Sequence, residues 1–382
     1  MEGVNLLDSY LAKVDFRGHT YWGGSVVQGD PRYDGPLELL IKQGIQVDPS
    51  MLFANMGCGA WVGGLPIGPV ERLQVVHPFV EDFLCTAKNL GEVPVWKDAG
   101  NCLAVPSDLE MWKGTFAAAY FRILKDMAWN WNWIDALSTT LIPGGVLHIL
   151  GPKDEGIRSL ATKLEKKGLQ VTTQAIGCHS RWIQVRGFGS TSDGFGMPHQ
   201  TQIQELKTPQ GTFSLEVPEG IFAAGHLDAG TQLLLESLNL VKGASVWDFG
   251  CGSGVVSRAL MESGASSVYA SDHSEWAVRI ARRNLQTFGL RFEAGVHFLS
   301  DGIQKMFDLI VTNPPFHLES KEMRGFGRIW LQACLNRLQD SGVIYLVCNR
   351  FLAYPEFAKD LGMRTEMVSE NQSFKVYRIT RL

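Results

Sequence analysis

A glycine-rich loop at residues 250–254, with the sequence Gly-Cys-Gly-Ser-Gly, constrains the fold more than any other feature. It follows the apolar run 244–249, which predicts a buried strand, and it leads into a helical apolar pattern at 254–263. Glycines at a strand–helix junction allow a sharp turn and a close approach to a ligand, and the helix N-terminus favours an anionic group. The sequence therefore predicts an α/β fold with a ligand at the carboxyl end of this strand.

The alternation of short apolar runs and helical patterns continues through the second half and is typical of a parallel sheet built from β-α-β units. The predicted strands are 244–249, 267–271, 307–312 and 343–348, and the predicted helices are 227–240, 254–263, 274–288 and 328–338. A hairpin formed by 363–369 and 373–381 is predicted to close the edge of the sheet.

The first half of the chain resembles a degenerate copy of the second. Three pairs of segments match in the same order: 52–59 with 246–252, 73–90 with 268–285, and 144–150 with 341–347. The first pair ends on Gly57-Cys58-Gly59 in one copy and on Gly250-Cys251-Gly252 in the other. Matches that keep their order along the chain indicate an internal duplication.

A segment at 187–211 that is rich in Gly, Ser, Thr, Gln and Pro separates the two halves and shows no apolar periodicity. We therefore expect a first domain at 1–186, a linker at 187–212 and a second domain at 213–382. A chain of 382 residues has room for two domains of ordinary size, which contain roughly 100–200 residues each.

Composition excludes several classes of protein. The net charge of −4 excludes a strongly basic protein that coats nucleic acid, although it is compatible with a local basic patch. The seven cysteines form no Cys-x-x-Cys pair, which is typical of reduced thiols. The sequence shows no signal-peptide pattern and no apolar stretch of the roughly 18 residues that a membrane span requires. We expect a cytoplasmic protein with no membrane partner.

The residues around the glycine loop indicate which cofactor to expect. An acid, Asp248, precedes a Gly-x-Gly-x-Gly spacing, and both features favour S-adenosylmethionine over NAD. The next strand ends at Asp272, whose carboxylate is suited to accept ribose hydroxyls, with helix capping as the alternative. Asp301 is a candidate acceptor for the adenine amino group, with an ordinary Asp-Gly turn as the alternative. The cofactor residues predicted from these motifs are Asp248, Gly250, Cys251, Gly252, Gly254, Asp272 and Asp301.

The candidate catalytic motif is Asn313-Pro314-Pro315-Phe316, directly after the strand predicted at 307–312. Two consecutive prolines make the turn rigid, so the Asn313 side-chain oxygen and the Pro314 carbonyl form two fixed acceptors. An NH₂ group that donates to both has its nitrogen lone pair aimed at the methyl group, while Phe316 offers a stacking face. No general base is required, because the amine loses its proton after positive charge has developed. The alternative is a rigid turn with a packed phenylalanine.

These motifs resemble the class I S-adenosylmethionine-dependent methyltransferases and, more narrowly, the bacterial rRNA guanine-N2 methyltransferases. Among these the chain resembles the small-subunit methyltransferase C family, with the large-subunit methyltransferase G family a near relative. The blocks that carry the resemblance are 220–223, 227–235, 313–317, 349–355 and 374–378. Before residue 220 the likeness is architectural, since these families contain two methyltransferase-like domains of which the first is inactive. One departure is Leu318-Glu319-Ser320, where the family has a glycine-containing turn.

The resemblance implies two tandem Rossmann-like methyltransferase domains, the second catalytic, with S-adenosylmethionine as cofactor, S-adenosylhomocysteine as product and no metal. It also implies that Phe222, Thr231 and Asn313 line the cofactor pocket of a monomer whose partner is small-subunit ribosomal RNA. The implied reaction is methylation of the N2 amino group of a guanine in 16S rRNA. The alternatives are a guanine in 23S rRNA, a glutamine amide of a protein, and a non-catalytic RNA-binding or assembly factor.

Aligned with the second half, the first half lacks two of the functional groups. His77 lies opposite Asp272, and Arg122-Ile123-Leu124-Lys125 lies opposite the Asn-Pro-Pro-Phe motif. The first half therefore offers no carboxylate to a ribose and no rigid pair of acceptors to an amine. We expect the first domain neither to bind the cofactor nor to catalyse, and to hold RNA and support the second domain.

Aromatic and basic clusters outside these motifs have alternative interpretations. Base stacking and burial are the alternatives for Trp129, Trp131 and Trp133, and burial is favoured. Phosphate contacts and a solvated helix face are the alternatives for Arg279, Arg282 and Arg283. Candidates for contact with an RNA backbone follow the catalytic motif at Lys321, Arg324 and Arg328.

Overall fold

The computed structural model describes residues 12–16, 19–23, 34–44, 50–57, 74–92, 100–125, 127–188, 201–218, 227–239, 242–314 and 324–382. These residues form two compact units, one ending at residue 188 and the other beginning at residue 201. Each unit contains a seven-stranded sheet flanked by helices. None of the described helices has the length and apolar character needed to cross a lipid bilayer.

The first unit has an order of strands that requires crossover connections. Its described elements are a hairpin of β1 (Ala12–Phe16) and β2 (His19–Gly23), the sheet strands β3 (Met51–Ala54), β4 (Gln74–His77), β5 (Gly100–Leu103), β6 (Phe116–Arg122), β7 (Leu141–Pro152), β8 (Gln170–Gly177) and β9 (Ser180–Arg186), and the helices α1 (Gly35–Gln43), α2 (Val80–Glu92), α3 (Met127–Thr140) and α4 (Ile157–Lys166). The sheet order is β5-β4-β3-β6-β7-β9-β8. The first five of these strands are parallel, β9 is antiparallel to β7, and β8 at the edge is antiparallel to β9 and thus runs in the same direction as the first five.

The second unit repeats this arrangement. Its described elements are a hairpin of β10 (Thr201–Thr208) and β11 (Gly211–Pro218), the sheet strands β12 (Ser245–Phe249), β13 (Ser267–Asp272), β14 (Phe292–Val296), β15 (Phe307–Thr312), β16 (Leu338–Asn349), β17 (Met363–Glu370) and β18 (Phe374–Arg381), and the helices α5 (Ala229–Ser237), α6 (Val255–Glu262), α7 (Glu275–Leu285), α8 (Arg324–Leu335) and α9 (Tyr354–Asp360). The sheet order is β14-β13-β12-β15-β16-β18-β17, again with five adjacent parallel strands, a reversed strand β18 and the edge strand β17 antiparallel to β18.

The two sheets match strand for strand in order and in direction. In both, crossovers connect parallel neighbours, so the carboxyl ends of the parallel strands lie at one edge of the sheet. The prediction of an α/β fold with two tandem Rossmann-like units is therefore confirmed. The match also supports the internal duplication that the sequence indicates.

Strand register identifies equivalent residues in the two units. Phe249 pairs with Ser271 on one side and with Thr312 on the other. Ala54 pairs in the same way with Val76 and Phe121. The residues that follow these partners are therefore equivalent, so His77 corresponds to Asp272 and Arg122 corresponds to Asn313. The register thus agrees with the sequence alignment at both positions.

The match between the two Gly-Cys-Gly strings is wrong. The amide of Asn55 donates to the carbonyl of Val76 at 3.0 Å, as the amide of Gly250 donates to that of Ser271 at 2.8 Å. Both Asn55 and Gly250 have positive φ, at 53° and 82°. Asn55, Met56 and Gly57 are thus the equivalents of Gly250, Cys251 and Gly252, because register rather than similarity of letters aligns neighbouring strands.

The predicted linker is wrong over its second half, because residues 201–218 form the β10–β11 hairpin. Leu206, Phe213, Leu215 and Val217 are buried in the hydrophobic core of the second unit. The side chain of Asn284 on α7 also bridges the backbone of Glu216, accepting from its amide at 2.7 Å and donating to its carbonyl at 2.8 Å. Phe213, Leu215 and Val217 alternate with polar residues, which is the period of two of a half-buried strand, and all three lie beyond the predicted end of the linker at residue 212.

The tryptophan cluster is buried, as the sequence analysis favours. Trp129, Trp131 and Trp133 lie on α3, and Trp129 and Trp133 stack against Phe121 with ring centroids 6.3 and 6.2 Å away. The three arginines of α7 make contacts within the protein: Arg279 with Glu275, Arg282 with the carbonyl of Ala294, and Arg283 with Glu216.

Candidate active site

The glycine loop of the second unit turns from β12 into α6 at the carboxyl edge of the sheet. Gly250, Gly252 and Gly254 all have positive φ, at 82°, 52° and 86°, which a glycine adopts without strain. The amides of Gly250 and Cys251 donate to the carbonyl of Ser271, at 2.8 and 3.0 Å. The loop is therefore fixed to the end of β13 before any ligand binds.

A pocket of about 530 Å³, open to solvent on one side, lies at this edge. It is lined by Leu206, Leu227, Thr231, Leu234, Asp248, Gly250, Cys251, Gly252, Ser253, Val255, Val256, Val311, Thr312 and Asn313. Six residues that the sequence analysis assigns to the cofactor lie in this wall: Thr231, Asp248, Gly250, Cys251, Gly252 and Asn313.

Asp248 fixes the start of α6. Its carboxylate accepts from the amide of Ser257 at 2.9 Å and from the Ser257 hydroxyl at 2.6 Å. Burial raises the pKa of Asp248 to about 7, against the opposing effect of the two bonds from Ser257. The side chain lines the pocket and at the same time ties β12 to the helix that follows the glycine loop.

Asp272 lies at the end of β13 and holds the loop from the other side. Its two oxygens accept from the amides of Gly252 at 3.0 Å and Ser274 at 2.9 Å. The N-cap of α7 is Ser274, so the alternative in which Asp272 caps this helix is wrong. Each carboxylate oxygen keeps a further lone pair, so these bonds leave Asp272 able to accept the hydroxyls of a ribose.

Asp272, Asp301 and Gly254 are predicted cofactor residues that do not line the pocket. A Cβ on Gly254 would lie 2.7 Å from Cδ1 of Leu285, so this glycine serves the close packing of α6 on α7.

Asp301 lies in a turn after β14, and its backbone carbonyl accepts from Nδ1 of His297 at 2.7 Å. Because Nδ1 then carries the proton, Nε2 accepts from the hydroxyl of Tyr269, also at 2.7 Å.

Asn313 directly follows β15 and lies in the pocket wall. Its Nδ2 donates to Oδ2 of Asp228 at 2.8 Å and to Oγ1 of Thr231 at 2.9 Å. Its Oδ1 is buried and has no hydrogen-bond partner among the described residues. Pro314 is described and buried, whereas Pro315, Phe316 and Phe222 lie outside the described residues.

Comparisons with known proteins agree with this arrangement. A family profile described as "Methyltransferase small domain" matches residues 212–378. A protein of Hahella chejuensis named ribosomal RNA small subunit methyltransferase C is 32% identical over 242 residues, which cover 62% of this chain and 69% of that protein. The protein of the same name from Shewanella loihica is 30% identical over 246 residues, with the same coverage. The chain belongs to the ribosomal RNA small subunit methyltransferase C family.

A solved structure extends the likeness over both units of this family member. The 16S rRNA N2 methyltransferase of T. thermophilus, in complex with AdoMet and guanosine, superposes with a TM-score of 0.79 at 20% identity. The superposition covers 98% of this chain and 100% of that one. The two-unit fold is therefore shared in full.

The described groups of the second unit fit the cofactor that the sequence analysis predicts. A nucleoside with an amino-acid tail requires carboxylate acceptors for its ribose and a closely approachable backbone for its tail. Asp272 and the glycine loop are groups of these two kinds. Asn313 Oδ1 is in addition a buried polar atom in the pocket wall that requires a donor from outside the described residues.

Two contributors to the site were missed by the sequence analysis. Trp330 on α8 donates from Nε1 to Oγ1 of Thr312 at 3.0 Å, and Thr312 donates to the carbonyl of Phe249 at 2.8 Å, so the ends of β12 and β15 are held together. Asp228 binds Asn313 from a position 85 residues away in the chain. Asp228 lies in the block 227–235 that carries the family resemblance, and an acid directly before a helix is an N-cap signal, but neither pattern predicts its bond to Asn313.

The equivalent place in the first unit of this methyltransferase C family member is filled by charged side chains. Nε of Arg122 pairs with Oδ2 of Asp34 at 2.9 Å, and its Nη1 pairs with Oε2 of Glu155 at 2.7 Å. His77, at the position of Asp272, is buried, and burial lowers its pKa to about 3, so it is neutral. The first unit thus has a donor where the second has an acceptor, and a neutral ring where the second has a carboxylate.

Proposed function

We propose that the chain transfers the methyl group of S-adenosylmethionine to the exocyclic N2 amino group of a guanine in 16S rRNA, with S-adenosylhomocysteine as product. The observation that carries the proposal is the buried Oδ1 of Asn313, an acceptor without a described partner in the wall of the pocket. The relatives named ribosomal RNA small subunit methyltransferase C support the choice of RNA. The T. thermophilus enzyme, solved with AdoMet and guanosine, supports the choice of base.

S-adenosylmethionine supplies an electrophilic methyl group when it is bound. The amides of the glycine loop and the N-terminus of α6 would hold its amino-acid tail, and Asp272 would accept from its ribose hydroxyls. Cys251 and Asp248 would form the floor of the pocket beneath it. These residues hold the donor still while the amine is brought into line with it, which is the main requirement of a methyl transfer.

Asn313 acts on the amine. Its Oδ1 would accept one hydrogen of the amino group and the Pro314 carbonyl the other, which directs the nitrogen lone pair at the methyl group. As the nitrogen bonds to carbon it becomes positively charged, and the two acceptors stabilise that charge. The extra proton leaves the nitrogen afterwards, so no side chain is required as a base.

The remaining parts of the proposal concern the rest of the chain. The first unit would hold RNA without binding the cofactor or catalysing, which the ion pairs of Arg122 support. We also propose a monomer in the cytoplasm, with the catalytic domain at residues 213–382 extended backwards to include the β10–β11 hairpin.

The test is incubation of the chain with labelled S-adenosylmethionine and, separately, 16S rRNA, small subunits, 23S rRNA and large subunits, followed by nucleoside analysis. The expected result is label in N2-methylguanosine from 16S rRNA or the small subunit. Label confined to 23S rRNA, or to glutamine of a ribosomal protein, would replace the proposed substrate by that alternative. Transfer to no substrate would favour a non-catalytic RNA-binding factor.

A further inference from the structure

Three side chains at the pocket form a closed hydrogen-bond network. Asp228, the N-cap of α5, accepts at Oδ1 from the amide of Gly230 at 3.2 Å and at Oδ2 from the amide of Thr231 at 2.8 Å. Oδ2 also accepts from the Thr231 hydroxyl at 2.8 Å and from Nδ2 of Asn313 at 2.8 Å. This carboxylate therefore accepts four hydrogen bonds, one at Oδ1 and three at Oδ2.

The network allows one orientation of the Asn313 amide. Nδ2 has two hydrogens, and its partners are Oδ2 of Asp228 and Oγ1 of Thr231. The Thr231 hydroxyl proton is directed at Asp228, so Thr231 meets Asn313 with a lone pair. Turning the amide over would bring Oδ1 against a carboxylate and against that lone pair, and acceptors facing each other in a buried site repel.

We propose that Asp228 is a positioning residue for methyl transfer, which holds the Asn313 amide so that Oδ1 faces the pocket as the acceptor for the substrate amine. The Thr231 hydroxyl completes the arrangement by occupying the second hydrogen of Nδ2. The identity of the amine rests on the function proposed above, whereas the orientation of the amide does not.

The first unit provides an independent comparison. Asp34 is the N-cap of α1 and accepts from the amide of Leu37 at 3.1 Å, as Asp228 caps α5. Its second oxygen binds Arg122, which corresponds to Asn313 in strand register. In both units, therefore, the N-cap acid of a helix bonds to a residue at the carboxyl end of the fourth strand in sheet order, which is β6 in the first unit and β15 in the second. Arg122 has donors only, so the same acid there leaves no acceptor.

Asp228→Asn tests the proposal with little effect on the helix, because asparagine is as good an N-cap as aspartate. The new amide has one oxygen where the carboxylate has two. If that oxygen keeps the bond from Gly230, the NH₂ group takes the position of Oδ2 and faces Nδ2 of Asn313, which must turn over to accept from it; if the oxygen stays at the position of Oδ2, a neutral acceptor replaces a charged one. In both cases Oδ1 of Asn313 is held in the pocket less firmly. We expect kcat to fall about tenfold, because a neutral acceptor bonds Nδ2 less strongly than a carboxylate does. The Kd for S-adenosylhomocysteine, measured by calorimetry, should change by less than about threefold, below 1 kcal/mol.

The matched control is Asp34→Asn, the same substitution at the equivalent cap of the first unit. It weakens an ion pair and lowers the thermal midpoint, but it should leave kcat unchanged because Asp34 does not contact Asn313. A double-mutant cycle distinguishes positioning from a general loss of structure. Asp228→Asn combined with Asn313→Ala should be no slower than Asn313→Ala alone, since the acid acts through the amide. Effects that multiply in the double variant would overturn the proposal.

A measurement without RNA separates this inference from the proposed function. In NMR spectra, the side-chain NH₂ signal of Asn313 is identified by its loss in Asn313→Ala. Its hydrogens are bonded in the wild type, so we expect exchange with solvent to be at least about tenfold slower than in Asp228→Asn. Equal exchange in the two proteins would overturn the orientation even if the wild type methylates 16S rRNA. A wild type that methylates no RNA but shows the expected difference would overturn only the function.

A second pair of variants covers the case in which Asp228→Asn does not fold. Thr231→Val removes the hydroxyl with little change of shape and leaves one hydrogen of Nδ2 without its acceptor, whereas Thr231→Ser keeps the hydroxyl. We expect kcat of Thr231→Ser to exceed that of Thr231→Val by about tenfold, the effect of one hydrogen bond. Equal rates in these two variants would also overturn the proposal.

Discussion

The indole of Trp330 stacks on the ring of Phe249, with the centroids 3.9 Å apart and the planes inclined by 7°. The two residues come from α8 and from the end of β12, directly before the glycine loop. The indole also lies under that loop, since a Cβ on Gly250 would be 3.7 Å from it. The packing of one helix against the sheet therefore sets the position of the backbone that faces the ligand.

The first prediction concerns this stack. Trp330→Ala leaves a cavity beside Phe249 and should lower the free energy of unfolding by about 3–5 kcal/mol. Trp330→Phe keeps a smaller ring on Phe249 and loses the bond to Thr312 together with part of the buried indole, so it should cost less, about 1–2 kcal/mol. Unfolding in urea measures both values. Equal costs for the two variants would show that the hydrogen bond, rather than the stack, holds this region.

The second prediction compares two glycines with the same backbone conformation. Gly254 has φ of 86° and Gly243 has φ of 84°, but only at Gly254 would a Cβ meet neighbouring atoms, those of Leu285 and Ala281. Gly243→Ala should cost about 1–2 kcal/mol, the strain of a left-handed conformation alone. Gly254→Ala should cost a further 1–3 kcal/mol or so, because α6 must move away from α7. Equal losses of stability in urea would contradict the packing role of Gly254.

The third prediction concerns the acid at the end of β13. Asp272→Asn keeps the size of the side chain and removes its charge, and hydrogen bonds to a charged group contribute about 1.5–3 kcal/mol. We expect the Kd for S-adenosylhomocysteine to rise about tenfold to 100-fold in calorimetry. Asp340→Asn, at a fully exposed acid on β16, is the control and should leave the Kd unchanged. An unchanged Kd for Asp272→Asn would remove Asp272 from the cofactor site.

The fourth prediction is a pH dependence of stability. Burial raises the pKa of Asp248 from its usual 3.8 to about 7, so between these values the folded chain holds a proton that the unfolded chain has lost. The free energy of unfolding from this group therefore falls as the pH rises through that window, by at most about 1.4 kcal/mol per pH unit. Asp248→Asn has no such equilibrium, so the stability of the wild type relative to the variant should decrease with rising pH.

Other titrating groups contribute equally to the wild type and to Asp248→Asn, so their contributions cancel in the difference between the two stabilities. His77 contributes with the opposite sign, because burial lowers its pKa to about 3 and its share of the stability is lost as the pH falls below its ordinary 6.5. That share is the same in the wild type and in Asp248→Asn. Urea unfolding at several pH values across the window is the test, and a difference that does not vary with pH would contradict the raised pKa of Asp248.

Much of the second unit follows from its sequence. The strand predicted at 307–312 agrees with β15 (Phe307–Thr312), and the one predicted at 244–249 begins one residue before β12. The predicted helix 328–338 is wrong at both ends, since α8 begins at Arg324 and ends at Leu335, and Leu338 already belongs to β16. β14 was not predicted, because its residues Glu-Ala-Gly interrupt the apolar pattern of an edge strand. Local periodicity is reliable for buried central strands and weak at edges.

Neighbouring residues alone predict a strand, a glycine turn and a helix in succession, and an asparagine followed by two prolines at the end of a strand. Which residues meet follows from the packing of segments that lie far apart in the chain. The bond between Asp228 and Asn313 joins groups 85 residues apart, and the equivalence of Asn55 with Gly250 rests on hydrogen bonds between separate strands. Such contacts depend on strand order and register, which no local pattern records, and they orient the side-chain acceptor on which the proposed chemistry depends.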